Sequence, residues 1–415
     1  MAAAASTPWH RAPSLPVTVL LATAPAIAVL QFRTMAPAVT VAFLLSVVAH
    51  WRIHRALPWP RPTPMLALAA ALLGWALASA AWSIEPARAA ETTGALAALL
   101  LLGAMAGRAV AADDPAHLRR MGPALVAGLA AGILLLGFDH ATDNLLRRAV
   151  RGLPPPNPVI GFGLKPAVSL LALLLPLALA AHRVPMALRL AVAAAGLAVA
   201  LWLPGDSAKI AAVLGLGAAT AALAARRAVA MGAAAALAAA FLLAPLAFAA
   251  LLARAPALEG IPRSAAHRVL IWDFVEDRIA ERPAIGWGME ASRSIPGGDE
   301  TFDAATLARF GLTSPEARHW FAAPSAKRLP LHTHNAALQV WLELGAVGAV
   351  LAAALAAAVL LAAGATPVPA AALGAAVAGA VTGQLSFGVW QPWWIASLLL
   401  AAVAMAGLGR AAKAR

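Results

Sequence analysis

The sequence predicts an all-α polytopic membrane protein with about twelve transmembrane helices and one large, partly helical loop. Hydrophobic residues make up 62% of the chain and charged residues only 12%. Apolar runs of roughly 17 to 25 residues, the length that crosses a bilayer as a helix, recur along it. Cysteine is absent, so neither a disulfide framework nor thiolate chemistry is available. The N-terminus resembles a signal peptide, but many further apolar runs follow, so we interpret it as the first transmembrane helix.

Taken in order, the apolar runs predict the individual spans by the hydropathy criterion. They centre on residues 15–31, 35–50, 65–81, 90–107, 122–138, 166–182, 184–203, 207–224, 228–253, 334–364, 368–387 and 392–408. The runs at 207–224 and 368–387 are rich in alanine and only weakly hydrophobic, so we expect them to pack inside the bundle. The chain thus divides into a bundle of about nine helices (1–253), a polar loop (254–333) and about three C-terminal helices (334–415).

The distribution of basic residues predicts the orientation of the chain. With both termini in the cytoplasm, fourteen Lys and Arg residues fall in short cytoplasmic segments, where the positive-inside rule places them. They are Arg11, Arg52, Arg55, Arg61, Arg108, Arg119, Arg120, Arg183, Arg189, Arg226, Arg227, Arg410, Lys413 and Arg415. The loops at 139–165 and 254–333 then lie outside. The formal net charge of +13 therefore requires no nucleic-acid partner, because topology and contact with anionic membrane lipids account for it.

The shorter outer loop, residues 139–165, is basic on the side where topology does not demand positive charge. Arg147, Arg148, Arg151 and Lys165 stand there against Asp139 and Asp143. Basic clusters bind phosphate groups, so this loop is a candidate anion site. The alternative is an ordinary solvated loop or one that contacts lipid headgroups.

The longer outer loop, residues 254–333, has ten basic and ten acidic residues, so any site in it must be local. Its sequence predicts an amphipathic helix in which Ile271, Trp272, Val275 and Ile279 share a face, and which ends before Pro283. Arg268 stands four residues before Trp272, a spacing that cation–π stacking alone would explain. We interpret the Gly-Trp-Gly at 286–288 only as a turn.

Two histidines stand where the long loop re-enters the membrane. His332 and His334 are followed by Asn335, Gln339 and Glu343, which form one polar stripe on an otherwise apolar helix. A carboxylate within a span is costly unless it faces the bundle interior or a wet cavity. The pattern therefore predicts a site at this helix, with histidine at its rim.

Histidine can take a proton from a hydroxyl, and arginine stabilises diphosphate charge, so the set suits group transfer from a lipid diphosphate. A zinc site is a competing interpretation, but the HxH pattern supplies only two ligands, and neither a cysteine nor a clear third histidine is near. In a third interpretation the two histidines only cap a helix or contact headgroups.

Three stretches resemble the O-antigen ligase and polymerase superfamily: WSIEP (82–86), HRVLIWDFVEDRIAERPAIGWG (267–288) and HTHNAALQVWLELGAVG (332–348). The resemblance implies a GT-C type glycosyltransferase of the bacterial inner membrane that uses no metal or other cofactor. Its donor would be a glycan on undecaprenyl diphosphate, and its active site would face the periplasm. In ligases the acceptor is lipid A-core. In the polymerases, which the sequence does not separate from ligases, it is another lipid-linked glycan.

The resemblance also suggests residue roles. His334 matches the family histidine beside Asn, and Arg268 the loop arginine before Trp, so both are candidate catalytic residues, with His332 beside them. Candidate substrate-binding residues are Arg293, Lys209, Lys165, Asn335, Trp272, Glu343, Arg147 and Arg151. The chain departs from the family where a Ser-Arg pair is often found, since it has Ser207 and Lys209, and lysine is a point charge rather than a bidentate fork. A lipid or glycan transporter is a different class of function, for which charges and broken helices in paired halves would be expected.

Overall fold

The computed structural model describes residues 8–154 and 163–414, and its regular secondary structure there is helical. Within these residues no β-strand is formed, and one isolated β-bridge joins Thr301 to Lys327 in the long loop. The predicted all-α class is therefore confirmed. Residues 155–162 of the predicted 139–165 loop, the first seven residues of the chain and Arg415 lie outside the described part.

The described residues form sixteen α-helices, which we number in chain order. They are α1 (Leu15–Gln31), α2 (Met35–His54), α3 (Pro64–Ala78), α4 (Pro86–Ala111), α5 (Pro115–Leu118), α6 (Met121–Ala141), α7 (Leu145–Arg151), α8 (Leu164–Leu174), α9 (Met186–Trp202), α10 (Asp206–Leu252), α11 (Arg263–Glu281), α12 (Ala304–Arg309), α13 (Pro315–Phe321), α14 (Ala336–Gly364), α15 (Pro369–Leu385) and α16 (Pro392–Lys413).

Seven helical segments of the described chain are long and apolar enough to cross a membrane. They are Leu15–His54, Pro64–Ala81, Pro86–Ala111, Pro115–Ala141, Asp206–Leu252, Ala336–Gly364 and Pro392–Lys413. Three shorter apolar helices accompany them, at Leu164–Ala180, Met186–Trp202 and Pro369–Leu385. The twelve predicted spans coincide with these segments to within a few residues, and the number that cross the bilayer stays a prediction.

Helix α10 is interrupted at Ala225, whose backbone is not helical (φ −138°, ψ 50°). Both ends of α10 lie near the long loop: Phe248 packs edge-on against Trp272 of α11, and Asp206 acts electrostatically on Arg268. The interruption lies at the other end of the bundle, close to the end of α14, where Ala230 faces Gly364. The two halves of α10 therefore run in opposite directions, in agreement with two predicted spans.

Helix α14 is also interrupted, at Gly345 (φ 63°, ψ −163°), and the loop that follows α11 is inserted into the break. The carbonyl oxygens of Leu342 and Glu343 accept hydrogen bonds from the backbone amides of Trp287 (2.9 Å) and Gly288 (2.8 Å). Beyond the break, the amide of Ala346 donates to the carbonyl of Pro283 at 2.9 Å. Loop residues 283–288 thus replace hydrogen bonds that the interrupted helix cannot make.

Glycine is required on both sides of this contact. A Cβ atom on Gly286 would lie 2.4 Å from the carbonyl carbon of Glu343, and one on Gly345 would lie 2.4 Å from that of Ala284. Both glycines have positive φ, 70° and 63°, which L-residues with a side chain rarely adopt. Gly286 therefore forms the turn predicted from the sequence and also allows the close backbone contact with α14.

The interruption divides α14 into two parts with different surroundings. The part after Gly345, residues 346–364, is about 28 Å long as a helix, close to the thickness of a bilayer core. The part before it, with Gln339 and Glu343, lies among the loop residues. The polar stripe predicted along this helix therefore faces a folded loop, which the apolar run alone did not reveal.

The predicted amphipathic helix is confirmed as α11, which ends two residues before Pro283. Its buried face consists of Ala266, Leu270, Ile271, Phe274, Val275 and Ile279. Trp272 is only partly buried, and its indole donates to the carbonyl of Thr333 at 2.9 Å. This hydrogen bond joins α11 to the chain segment that contains the two histidines.

We expect Gly345→Ala to lower the stability of the folded protein by more than about 2 kcal/mol, because it adds positive-φ strain and a backbone overlap that cannot relax. Gly217→Ala is the matched control. Gly217 is a helical residue with nothing within 4 Å of its Cβ position, so alanine there should be neutral or stabilising by about 0.5–1 kcal/mol. Thermal unfolding of both variants in detergent measures the difference, and equal stabilities would contradict the proposed tight contact.

Candidate functional site

The two histidines lie at the start of α14, where α11 and the segment between α15 and α16 meet. Asn335 is the N-cap of α14: its Oδ1 accepts from the amide of Leu338 at 2.9 Å, and its Nδ2 donates to the carbonyl of Gln384 at 3.1 Å. Asn is a favoured N-cap because its side chain satisfies a free amide of the first turn. The predicted binding residue Asn335 therefore fixes the direction in which the histidine segment enters the helix.

His334 is held in one orientation by the backbone. Its φ is 56°, in the left-handed region, and its Nδ1 lies 2.7 Å from the carbonyl oxygen of Ser386. A carbonyl can only accept, so this contact assigns the proton to Nδ1 and leaves the Nε2 lone pair able to accept a proton. That is the tautomer which a general base at this position requires.

The surroundings of His334 favour the neutral imidazole. Burial lowers its pKa to about 4, and the nearby charges of Arg268 and Lys165 act in the same direction, while the hydrogen bond to Ser386 opposes them. The protein therefore keeps His334 unprotonated well below neutral pH.

His332 supports its neighbour. Its side chain is 8% exposed, and its Nδ1 accepts a hydrogen bond from the backbone amide of His334 at 3.2 Å. The two rings are 4.2 Å apart at 63°. Burial, followed by the charges of His334 and Arg293, holds the pKa of His332 well below its ordinary value. His332 is thus more enclosed than His334, and one of its nitrogens is already occupied.

Arg268 lies beside His334 and is fixed by the adjacent carbonyl. Its Nη1 donates to Leu385 at 3.0 Å, next to Ser386, which holds the histidine. Burial lowers the pKa of Arg268, and the charge of Asp206 raises it. A guanidinium stays charged in proteins. The carbonyls of two consecutive residues, Leu385 and Ser386, therefore hold a cation and a neutral imidazole side by side.

Two lysines predicted to bind substrate lie on the same side of the bundle as Arg268. The aliphatic part of Lys165 packs beside Gly205, where a Cβ atom would lie 3.2 Å from its Cγ. The ammonium group of Lys209 lies 3.2 Å from a carboxylate oxygen of Asp206. The charge of Asp206 also acts on Arg268 and Lys165, so Asp206 couples these two cations and Lys209 electrostatically.

Arg293 approaches from the loop after α11. It forms an ion pair with the carboxylate of Glu290 and contributes positive charge at His332. The backbone amide of Glu290 donates in turn to the carboxylate of Glu343 at 2.8 Å. Arg293 therefore adds a second guanidinium to the histidine pair, and its position depends on the loop around Glu343.

Arg147 and Arg151 lie on α7, which packs against α1 and α6. Arg147 is fully buried and pairs with the buried carboxylate of Asp139, whereas Nε of Arg151 donates to the carbonyl of Leu30 at 3.1 Å. The structure thus brings these two arginines together with α1 and α6. Their role in binding substrate stays a prediction.

The part of the site that is formed by the backbone could not be predicted from the sequence. The carbonyls of Leu385 and Ser386 hold Arg268 and His334, and Gly388 packs against His332, where a Cβ atom would lie 3.2 Å from the histidine Cβ. Main-chain acceptors leave no pattern in residue type. Of the residues in this backbone part of the site, only Gly388 has a residue type that indicates close packing. In the described residues no group of three or more His, Asp and Glu side chains is placed to hold a metal ion.

Comparison with known proteins connects this site with a described family. Residues 170–353 match the family model described as O-Antigen ligase, which confirms the resemblance over a stretch that includes Arg268, His332, His334 and Glu343. Two relatives are named as candidate polysaccharide ligases. The one from Rickettsia conorii is 32% identical over 137 residues, which cover 32% of this chain and 29% of the relative. The one from Rickettsia prowazekii is 36% identical over 137 residues, with 32% and 30% covered.

The chain thus matches about 30% of the length of these curated relatives. No solved structure matches it at a significant level.

The depressed pKa of His334 predicts a pH-dependent stability. Folding lowers this pKa from 6.5 to about 4, so between these values the folded state binds fewer protons than the unfolded state. The contribution of neutral His334 to the stability of the folded protein is therefore fully present above pH 6.5 and is lost as the pH falls toward 4. We expect the unfolding temperature in detergent to fall between pH 7 and pH 5, and to fall less in His334→Gln.

His319→Gln is the control for the loss of an exposed histidine from the same loop. Identical slopes for wild type and His334→Gln would show that burial of His334 does not couple folding to protonation.

Proposed function

We propose that this protein is an O-antigen ligase, a GT-C type glycosyltransferase that transfers polysaccharide from undecaprenyl diphosphate to lipid A-core at the periplasmic face of the inner membrane. The family match and the names of the relatives support polysaccharide ligation. The observation that carries the proposal is the contact of His334 with Ser386, which leaves Nε2 as a proton acceptor beside the Arg268 guanidinium.

In the proposed reaction, the hydroxyl of the acceptor sugar is the nucleophile. Its oxygen attacks the anomeric carbon of the donor while its proton passes to Nε2 of His334. The bond from the anomeric carbon to the diphosphate oxygen breaks, and the leaving diphosphate takes the electron pair. Arg268, together with Lys165, Lys209 and Arg293, would neutralise the negative charge that develops there. Diphosphate is a good leaving group, so positioning and charge neutralisation supply most of the rate enhancement.

The orientation of the chain is part of the proposal. With both termini in the cytoplasm, the long loop and the histidine site face the periplasm, as the fourteen cytoplasmic Lys and Arg residues favour. Helix α10 supports this orientation, because Arg226 and Arg227 follow its interruption at Ala225, at the end of the bundle away from the histidines.

A deletion strain separates the two functions of the superfamily. Loss of long-chain lipopolysaccharide with accumulation of lipid-linked full-length polymer indicates a ligase. Single repeat units left on the core indicate a polysaccharide polymerase, the runner-up, because that enzyme extends lipid-linked glycan before ligation. Restoration by the wild-type chain and not by His334→Ala would tie the phenotype to the site described above.

The proposed roles of histidine and arginine predict different kinetic defects. His334→Ala should lower turnover by roughly 100-fold or more, as expected for a lost general base, and leave donor binding intact. Arg268→Ala should weaken donor binding and slow transfer together, and Arg268→Lys should rescue only partly because the bidentate fork is lost. His332→Ala should retain more activity than His334→Ala, because His332 supports the other histidine through a single hydrogen bond.

These defects are measured as transfer rate and donor affinity with purified variants. A folded His334→Ala enzyme with near wild-type turnover would remove histidine from the mechanism.

Metal independence is a separate prediction of this mechanism, in which protein side chains carry the charge. Transfer by the purified protein should be unchanged by EDTA, because two histidines one residue apart supply only two zinc ligands. Activity that is lost in EDTA and restored by zinc alone would contradict the mechanism.

A further inference from the structure

Residues 385–391, between the end of α15 and the start of α16, form the backbone to which the proposed catalytic groups are attached. The carbonyl of Leu385 accepts from Arg268 at 3.0 Å, and the carbonyl of Ser386 accepts from Nδ1 of His334 at 2.7 Å. We call residues 385–391 the template segment. A displacement of this segment would move the cation and the base together.

The other end of the template segment is tied to α14. The amide of Val389 donates to Oε1 of Gln339 at 3.0 Å, and the indole of Trp390 donates to Oε2 of Glu343 at 2.6 Å. Gln339 in turn donates through Nε2 to Oε1 of Glu343 at 3.0 Å. Both ties therefore end at the carboxylate of Glu343, one directly and one through Gln339.

The same carboxylate holds the loop after α11. The amide of Glu290 donates to its Oε2 at 2.8 Å, and the hydroxyl of Ser292 donates to its Oε1. Glu343 is fully buried and receives four donors, two on each oxygen. A carboxylate suits this place because, when ionised, it only accepts hydrogen bonds. With both oxygens occupied by protein donors, it has no free oxygen for a substrate.

We propose that Glu343 is a positioning residue, which places His334 and Arg268 through the template segment, and not the substrate ligand that the sequence predicted. This inference rests on the proposed function, since the atoms that Glu343 positions are the proposed base and cation. Its loss should therefore slow turnover and leave the affinity for the donor nearly unchanged.

Glu343→Gln is the informative substitution because it preserves shape and removes one acceptor. The new amide nitrogen cannot accept from Gln339, so Gln339 must turn its oxygen toward position 343. The amide of Val389 then loses its acceptor, the side-chain oxygen of Gln339. The template segment is no longer held to α14 at this residue. We expect turnover to fall about 10- to 100-fold, with the donor KM changed less than about 2-fold, since a small misplacement of reacting groups costs rate.

The double variant Gln339→Glu with Glu343→Gln tests the direction of these hydrogen bonds. A carboxylate at position 339 accepts both from Val389 and from the new amide nitrogen at position 343, and the amide oxygen at position 343 still accepts from Glu290 and Trp390. The double variant should recover at least about 10-fold of the lost turnover. If the hydrogen bonds among positions 339, 343 and 389 did not run as described, the two substitutions would be additive, so a double variant slower than Glu343→Gln would overturn the proposal.

Trp390→Phe is a milder variant for the case in which Glu343→Gln does not fold. It keeps an aromatic ring and removes a single donor to Glu343, and we expect turnover to fall about 3- to 10-fold at constant donor KM. A folded Trp390→Phe or Glu343→Gln enzyme with wild-type turnover would overturn the positioning role. A raised donor KM at constant turnover would instead make Glu343 a substrate ligand and would also overturn it.

The same assay separates this inference from the proposed function. If the wild-type protein transfers glycan and His334→Ala does not, the proposed function holds and the Glu343 variants test positioning alone. If the purified wild-type protein transfers no glycan from the lipid diphosphate donor, the proposed function fails, and the positioning role fails with it.

Discussion

The interruption of α14 at Gly345 is the feature on which the rest of the site depends. A helix that breaks exposes carbonyls and amides that must find partners, and in an apolar bundle water cannot supply them. Here the carbonyls of Leu342 and Glu343 accept from the loop backbone, and the carbonyl of Leu344 accepts from the indole of Trp75 at 2.9 Å. The carbonyls at the break therefore bind both the loop after α11 and helix α3 to α14, and the loop carries Arg293 to the histidines.

The same constraint explains the WSIEP stretch, which lies far from the other two motifs in sequence. The Ser79 hydroxyl, just before it, accepts from the amide of Met289 at 2.9 Å, and Ser83 packs so closely on Gly288 that a Cβ atom there would lie 2.3 Å from the serine Cβ. The Ser294 hydroxyl donates to Glu85 at 2.5 Å. Residues 79–85 thus form one wall of the groove that receives the loop, and the break in α14 forms the other.

Side-chain patterns made part of this arrangement predictable. The helical spacing of Ile271, Val275 and Ile279 correctly predicted α11, because burial of one face leaves a periodic signal. The interruption at Gly345 lies inside an apolar run, where hydropathy cannot distinguish a broken helix from a continuous one. The carbonyls that orient His334 and Arg268 are main-chain atoms, which every residue has. Charge counting along residues 139–165 also could not show that Arg147 is buried against Asp139.

The basicity of His334 depends on the charges around its imidazole. In the free protein, burial and the cations Arg268 and Lys165 hold the pKa of His334 at about 4, which makes the imidazole available but weakly basic. A bound diphosphate would offset the charge of these cations and place negative charge near the imidazole. Both changes raise the pKa of a histidine, because they stabilise its protonated form. Under the proposed function, the base would gain strength when the donor is in place, and the cations that bind the donor would control when proton transfer becomes favourable.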